Sequence, residues 1–184
     1  SIDTACSSSL VACHSALSAL HHNECNVHIV TGVNMILSLT TLRVVPGMTS
    51  RLGRCYSFDL RGDGFARAEA CNSTLLQGGS VAPRGPKLSI TAVQQDGRSA
   101  SLTAPNGLAQ ARLLETVYAN LVSSAYSPIE AHATGTPLGD PVEIGAIARV
   151  AASGALAATL YLTCTKANVA HSETGAGMTG ILSM

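Results

Sequence analysis

The sequence predicts an α/β fold, in which helices and strands pack in layers. Its 184 residues are 46% hydrophobic but only 3% aromatic, and tryptophan is absent. The interior must therefore be built from Ala, Gly, Val, Leu and Ile, which let helices and strands approach closely. Helical and strand patterns also follow one another along the chain, and the length suits one domain with a sizeable core. Together these features favour an enzyme.

Composition argues against several other classes of protein. Eleven Lys and Arg balance eleven Asp and Glu, so no basic excess favours nucleic acid or an acidic membrane surface. Six cysteines show no CxxC pair, which predicts reduced thiols in a cytoplasmic protein. The most apolar stretch, Ile144 to Leu162, contains Arg149 and much alanine, which predicts a buried helix and strand instead of a membrane span.

The first third of the chain predicts a helix, a strand and a long loop. Apolar residues recur at helical spacing from Thr4 to His22, with a helix expected to begin near Cys6. The alternating, β-branched run from Cys25 to Val33 predicts a buried strand. From Arg51 to Arg67 the chain is rich in Gly, Arg and Asp without a period, which predicts an ordered loop.

The remaining elements follow the same rules. Thr74 to Gln77 and Leu88 to Val93 are predicted strands, and Gly107 to Leu121 carries apolar residues at helical spacing. Leu156 to Thr165 is strand-like. Beyond Lys166 we expect a loop followed by a helix rich in Gly and Ala.

Cys6 is the first candidate catalytic residue. A thiol in the first turn of a helix lies near unpaired backbone donors and the positive end of the helix dipole, which predicts a lowered pKa and a reactive thiolate. The small residues Ser7, Ser8 and Ser9 leave room for a bulky acyl group. The alternative is a buried structural cysteine.

Two histidines stand in loops rich in glycine and hydroxyl groups. His132 precedes Thr134 and Thr136, whose hydroxyls could hydrogen-bond an amide-bearing ligand. His171 follows Lys166 by five residues, and a cation beside an imidazole can stabilise anionic charge. A lone histidine in such a turn is more often a structural hydrogen-bonding residue than a catalyst, so neither histidine is a strong signal by itself.

A zinc site is a weaker hypothesis. Its candidate ligands lie close in sequence, and they are His21, Glu24, Cys25 and His28. A predicted helix end and strand start fall between them, so they would not share a face. The sequence therefore predicts no metal site.

Six motifs in one order carry a resemblance to a known family. They are DTACSSSL, GVN, GRCYSFDLRGDGFARAEA, QQDGRSASLTAPNG, EAHATGTPLGDPVE and KANVAHSETGAG. Together they resemble the ketosynthase (β-ketoacyl synthase) domain of type I polyketide synthases over the whole chain. The resemblance implies a thiolase-like fold with a five-layered α-β-α-β-α core, usually dimeric. It also implies that residues 1–184 are a partial domain, incomplete at both ends, so targeting by a leader stays open.

The resemblance also implies roles for named residues. Cys6 matches the nucleophile, His132 and His171 the two active-site histidines, and Lys166 the lysine that supports the second. Thr134 and Thr136 match threonines that contact the pantetheine arm of an acyl carrier protein. That arm delivers the substrates, so the domain is expected to bind no cofactor of its own.

The implied activity is decarboxylative condensation of an acyl group on Cys6 with a malonyl-type thioester. The acyl carrier protein and the acyltransferase domain of the same synthase are the expected partners. Alternatives are a condensation-incompetent fragment or scaffold, a fatty acid synthase ketosynthase and a Cys-His thiol hydrolase. Departures from the family pattern include Ala133 and Ala170, each where the family has glycine beside an active-site histidine.

Overall fold

The computed structural model describes residues 1–38, 48–79, 85–101, 104–120, 127–154 and 160–184. Helices and strands alternate along the described chain, which confirms the α/β prediction. In chain order the elements are α1 (Ser8–His21), β1 (Val27–Asn34), β2 (Ala70–Gln77), α2 (Gly107–Tyr118), β3 (Ser127–Glu130), α3 (Gly139–Ala152), β4 (Leu160–Thr163), α4 (Lys166–Val169), a 3-10 turn (Glu173–Gly175) and α5 (Ala176–Ser183).

In the N-terminal half, α1 packs on an antiparallel pair of strands. β1 and β2 pair in register from Val27 opposite Gln77 to Asn34 opposite Ala70. The buried core under them is formed by one cluster, which consists of Cys13, Ala16, Val30 and Met178. Gly32 allows the close approach, because a Cβ there would lie 3.0 Å from the Ser9 Cβ and 3.2 Å from the Gly175 Cα.

In the C-terminal half, two helices cover a short parallel pair of strands. β3 and β4 are parallel, with Ser127 opposite Leu160, and α3 forms the crossover between them. α3 packs against α2, and the core between them contains Ala111, Ala146, Ile147 and Val150. The Asn106 side chain accepts hydrogen bonds from the Leu108 and Ala109 N–H groups, which caps the start of α2.

The end of the described chain returns to the N-terminal half. α5 packs against α1 and β2, and the 3-10 turn packs against β1. The Met178 N–H donates to the Ser9 hydroxyl at 3.0 Å, and the Asn72 amide donates to the Thr179 hydroxyl at 2.8 Å. These contacts hold the segment that contains His171 beside the start of α1.

Most of the predicted elements are confirmed. The helices expected over Thr4 to His22 and Gly107 to Leu121 are α1 and α2. The strand expected over Cys25 to Val33 is β1, but the prediction that it is buried is wrong, because only Val30 and Gly32 in it are buried. The strand expected over Thr74 to Gln77 is the end of the longer β2. The residues from Arg51 to Arg67 form turns and bends without a helix or named strand, as predicted.

The prediction of a strand over Leu88 to Val93 is wrong. This segment makes no ladder with another described strand and lies beside α1, where the His14 Nδ1 is 2.9 Å from the Thr91 hydroxyl. β-branched residues favour a strand only where a neighbouring strand accepts the backbone bonds. β4 covers Leu160–Thr163 of the strand expected over Leu156 to Thr165, and residues 156–159 lie outside the described chain.

The stretch Ile144 to Leu162 contains the end of α3 and the start of β4, so the predicted helix and strand are confirmed. The helix buries Ala146, Ile147 and Val150, whereas the strand is not buried as predicted, since Tyr161 and Leu162 are exposed. Among the described residues, none of the helices has both the length and the apolar character that crossing a membrane requires.

Candidate active site

Cys6 lies in a tight turn immediately before α1. The Ser8 N–H and hydroxyl both donate to the Ala5 carbonyl, at 3.1 and 2.7 Å, and the Thr4 N–H donates to the Ser8 hydroxyl at 2.8 Å. Ala5 adopts a left-handed conformation with φ of 55°. The helix begins two residues after Cys6, slightly later than the sequence predicts. The turn therefore fixes the position of the thiol.

The predicted lowering of the Cys6 pKa is wrong. Burial raises the pKa of the thiol above its ordinary value, and Glu173 adds to the rise, while the thiol's own backbone N–H and Lys166 act in the opposite direction. The physical reason is that desolvation of the thiolate outweighs the helix-terminal donors. Cys6 is therefore a protonated thiol in the resting protein at neutral pH.

His132 lies just beyond β3, in a loop that a carboxylate holds. The Glu143 carboxylate accepts the backbone N–H of His132 at 2.7 Å and that of Ala133 at 2.8 Å. Ala133 has φ of 27°, in the region that favours glycine. Glu143 on α3 thus fixes the backbone of His132 through two charge-assisted hydrogen bonds.

A second carboxylate holds the rest of this loop. Asp140 is buried and accepts hydrogen bonds from the backbone N–H groups of Gly135, Thr136 and Phe58. The Thr134 hydroxyl lies 3.4 Å from the Thr136 hydroxyl, and Thr134 is buried. Sequence reasoning missed the part that Asp140 and Glu143 play, although their three-residue spacing in the first turns of α3 was a usable signal.

His171 is fully buried and is held by the loop from Ala66 to Ala68. Its N–H donates to the Ala66 carbonyl at 2.8 Å, and its carbonyl accepts the Ala68 N–H at 2.9 Å. The ring packs edge-on against Phe65, with 5.0 Å between the centroids. Sequence reasoning did not identify Phe65 or this backbone pairing as parts of the site.

One backbone hydrogen bond fixes which ring nitrogen of His171 bears the proton. The Glu173 N–H donates to His171 Nδ1 at 3.2 Å, so in the neutral ring the proton lies on Nε2. Nε2 is buried and has no hydrogen-bond partner within the described part of the chain. The Nε2–H of His171 is therefore a buried hydrogen-bond donor that a bound ligand could use.

The three predicted residues meet at one place. The Cys6 sulfur and one ring nitrogen from each of His132 and His171 lie within 4.8 Å of one another. The two rings are 5.5 Å apart and nearly perpendicular, at 88°. The structure thus brings together residues that are more than 160 positions apart in sequence.

The two imidazoles are neutral at physiological pH. Burial, with smaller effects from His132 and Lys166, lowers the pKa of His171 to about 3. Part of His132 is open to solvent, but desolvation of its ring and the charge of Lys166 lower its pKa to about 4. Neutral rings can donate an N–H hydrogen bond without releasing a proton.

Lys166 brings a positive charge to this cluster. It is the first residue of α4 and is only 7% exposed. Its charge contributes to the lowered pKa values of both histidines and opposes the rise at Cys6. In the described ranges no carboxylate forms an ion pair with it. The site is therefore suited to negative charge.

A metal ion fits this cluster poorly. One cysteine and two histidines are typical zinc ligands. However, the Nδ1 lone pair of His171 already accepts the Glu173 N–H, and Nε2 then bears the proton, so neither ring nitrogen has a free lone pair to give. The earlier zinc candidates are separated, since His21 ends α1 and His28 lies in β1. The chemistry favoured by the cluster is hydrogen-bond donation to an anionic oxygen.

The two alanines beside the histidines lie at strained backbone positions. Ala133 has φ of 27° and Ala170 has φ of 62°, both in the left-handed region that glycine adopts most readily. The pairing of His171 with the Ala66–Ala68 loop and the Glu143 hydrogen bonds hold these conformations.

Comparison with known proteins places this geometry in a family. Residues 1–82 match the family model of the beta-ketoacyl synthase N-terminal domain, and residues 87–184 match that of the beta-ketoacyl synthase C-terminal domain. The chain belongs to the beta-ketoacyl synthase family, whose members are acyl-transferring condensing enzymes.

Two solved ketosynthase structures are similar to this chain. A ketosynthase from module 6 of the bacillaene synthase of Bacillus subtilis 168 is 29% identical, with a TM-score of 0.86 over 99% of this chain and 34% of that one. The oxazolomycin ketosynthase domain OzmH KS7 of Streptomyces albus is 33% identical, with a TM-score of 0.85 over 99% of this chain and 33% of that one.

Two curated relatives are long polyketide synthases. A phenolphthiocerol/phthiocerol polyketide synthase of Mycobacterium tuberculosis is 39% identical over 98% of this chain and 10% of its own length. Highly reducing polyketide synthase pkhB of Emericella nidulans is 35% identical over 98% of this chain and 8% of its own length. The chain therefore spans about a tenth of these relatives. It is part of a ketosynthase domain of a type I polyketide synthase, with a thiolase-like fold.

Proposed function

We propose that the chain supplies the catalytic cluster for decarboxylative condensation in a polyketide synthase. The single observation that carries this proposal is the buried, unpartnered Nε2–H of neutral His171, whose ring lies in one cluster with the Cys6 sulfur, among the residues that the structure describes. Such a donor is matched to an oxygen that becomes negative during a reaction. Residues 1–184 are proposed to form one partial ketosynthase domain.

The first half-reaction is acyl transfer to Cys6. The sulfur attacks the carbonyl of a carrier-bound thioester, a new S–C bond forms, and the carrier's S–C bond breaks. The thiol proton of Cys6 ends on the departing carrier thiol, so charge is balanced. Thr134 and Thr136 are proposed to contact the pantetheine arm on which an acyl carrier protein delivers the substrate. No cofactor bound by the domain itself is required.

The second half-reaction uses the two histidines. A malonyl-type thioester loses carbon dioxide as its carboxylate C–C bond breaks, and the electron pair forms an enolate. His132 and His171 donate N–H hydrogen bonds to the enolate oxygen, and the nearby charge of Lys166 favours the same anion. The enolate carbon then attacks the acyl group on Cys6, a C–C bond forms, and the cysteine sulfur leaves.

The proposed partners follow from this chemistry. The acyl carrier protein presents both substrates, and the acyltransferase domain of the same synthase loads the extender. The complete ketosynthase is proposed to be a cytoplasmic homodimer. A condensation-incompetent scaffold is the competing hypothesis, and it differs from the proposal in predicting no acylation of Cys6.

The test separates the two half-reactions in the natural full-length polypeptide. Incubation with an acyl carrier thioester, followed by peptide mass mapping, should place the acyl group on Cys6 and show none there in Cys6→Ala. His132→Ala or His171→Ala should lower malonyl decarboxylation by about two to three orders of magnitude, while some acylation of Cys6 persists.

His22→Ala is the matched control, because His22 is exposed at the end of α1. It should leave both half-reactions unchanged. An acyl group found on another residue would contradict the assignment of Cys6. Equal loss of acylation and decarboxylation in the histidine variants would contradict the division of labour.

A further inference from the structure

Arg67 lies behind the catalytic histidine. It is flanked by Ala66 and Ala68, whose backbones pair with His171. Its Nε lies 3.3 Å from the Glu173 carboxylate, and both side chains are mostly buried, with exposed fractions of 22% and 32%. The loop that pairs with His171 and the 3-10 turn that follows His171 thus each carry one member of an ion pair.

Glu173 is the residue whose backbone N–H fixes the proton of His171. That N–H donates to Nδ1 at 3.2 Å. Glu173 adopts φ of 42°, a left-handed conformation that a residue with a Cβ rarely holds without support. The ion pair with Arg67 connects the strained residue to the loop that already holds the His171 backbone.

We infer that Arg67 is a positioning residue that acts on His171 through Glu173. The ion pair holds Glu173 in its left-handed conformation, and that conformation keeps the N–H on Nδ1 and the proton on Nε2. Without the pair, Glu173 relaxes and the N–H leaves Nδ1. The ring then loses both its fixed orientation and its single protonated form.

The kinetic test of this inference rests on the proposed function. A structural test does not depend on activity. Cryo-electron microscopy of the full-length Arg67→Met polypeptide should show the Glu173 nitrogen beyond hydrogen-bonding distance of His171 Nδ1. Retention of the 3.2 Å contact would overturn the inference whether or not the protein condenses acyl groups.

The kinetic test uses a set of matched variants. Arg67→Met should lose about tenfold in kcat for malonyl decarboxylation, equivalent to about 1.4 kcal/mol, with KM and Cys6 acylation unchanged. Arg67→Lys should recover most of the rate because it keeps a cation beside Glu173. Glu173→Gly combined with Arg67→Met should also recover it, because glycine adopts positive φ without support.

Arg112→Met is the control, since it removes an exposed arginine from α2. It should match the wild type. Equal decarboxylation in Arg67→Met and Arg112→Met would overturn the inference, as would failure of the Glu173→Gly combination to recover the rate. Absence of decarboxylation in the wild type would instead refute the proposed function, and the structural comparison would still decide the role of Arg67.

Discussion

Glu143→Gln tests how much of the site depends on the loop that carries His132. The carboxylate accepts two backbone N–H groups, from His132 at 2.7 Å and Ala133 at 2.8 Å. Glutamine has nearly the same shape but offers one oxygen, and its amide N–H₂ would face the second backbone N–H. One hydrogen bond is lost, the other is no longer charge-assisted, and one backbone donor is left unpaired.

The free energy lost in Glu143→Gln is calculated from these two hydrogen bonds. A hydrogen bond to a charged group contributes about 1.5–3 kcal/mol, so the loss of one of the two costs about 2 kcal/mol. If this free energy is what holds His132 at the enolate, malonyl decarboxylation should fall about 30-fold. Acylation of Cys6 should change little, because Glu143 does not contact the turn around Cys6.

The assay measures both half-reactions side by side in the full-length polypeptide. Glu115→Gln is the matched control, since Glu115 is an exposed glutamate on α2. Decarboxylation at the wild-type rate in Glu143→Gln would refute the reasoning that these bonds position His132. A parallel fall in acylation would show that the substitution disturbs more than the His132 loop.

Three further predictions concern stability. Because burial holds the pKa of His171 near 3 in the folded protein, against about 6.5 when unfolded, the unfolded state binds more protons between these values. The free energy of unfolding should therefore fall as pH drops below 6.5, by about 2 kcal/mol at pH 5 from His171. His171→Asn should remove this share in urea unfolding of the ketosynthase domain and leave the share of His132, whose pKa is lowered to about 4. Gly64→Ala should destabilise the domain by about 2 kcal/mol or more, since φ is 140° and a Cβ would lie 2.6 Å from the Thr49 carbonyl carbon. Gly145→Ala should instead stabilise it by up to about 1 kcal/mol, because the residue is inside α3 and, apart from the backbone of that helix, no atom of the described residues lies within 4 Å of a Cβ there. Equal urea midpoints for the two alanine variants would contradict both expectations.

Sequence patterns predicted the helices and the strand that depend mainly on residues close together in the chain. The helical periodicity and the Asn106 cap define α2, and the β-branched alternation defines β1. The expected strand from Leu88 to Val93 was wrong because strand formation depends on a neighbour that periodicity does not reveal. β3 was not predicted, since four residues are too few to show alternation.

Motifs identified Cys6, His132 and His171 as candidate site residues, but the protonation states of these residues did not follow from the motifs. The helix-terminal position of Cys6 predicts a lowered pKa, whereas burial by distant parts of the chain raises it. The proton position on His171 depends on one backbone N–H, and Glu143 acts through its carboxylate on a loop eleven residues earlier. These effects arise from tertiary contacts, which motif spacing does not encode.

The distance in sequence between Cys6 and His171 has a consequence during synthesis. Cys6 leaves the ribosome about 165 residues before His171. Domains gain their structure as the chain emerges, so in that interval Cys6 lacks the α5 segment that will lie beside it and titrates as an ordinary exposed thiol. The cysteine is thus more open to oxidation while the polypeptide is being made than after folding, when burial keeps it protonated until a substrate arrives.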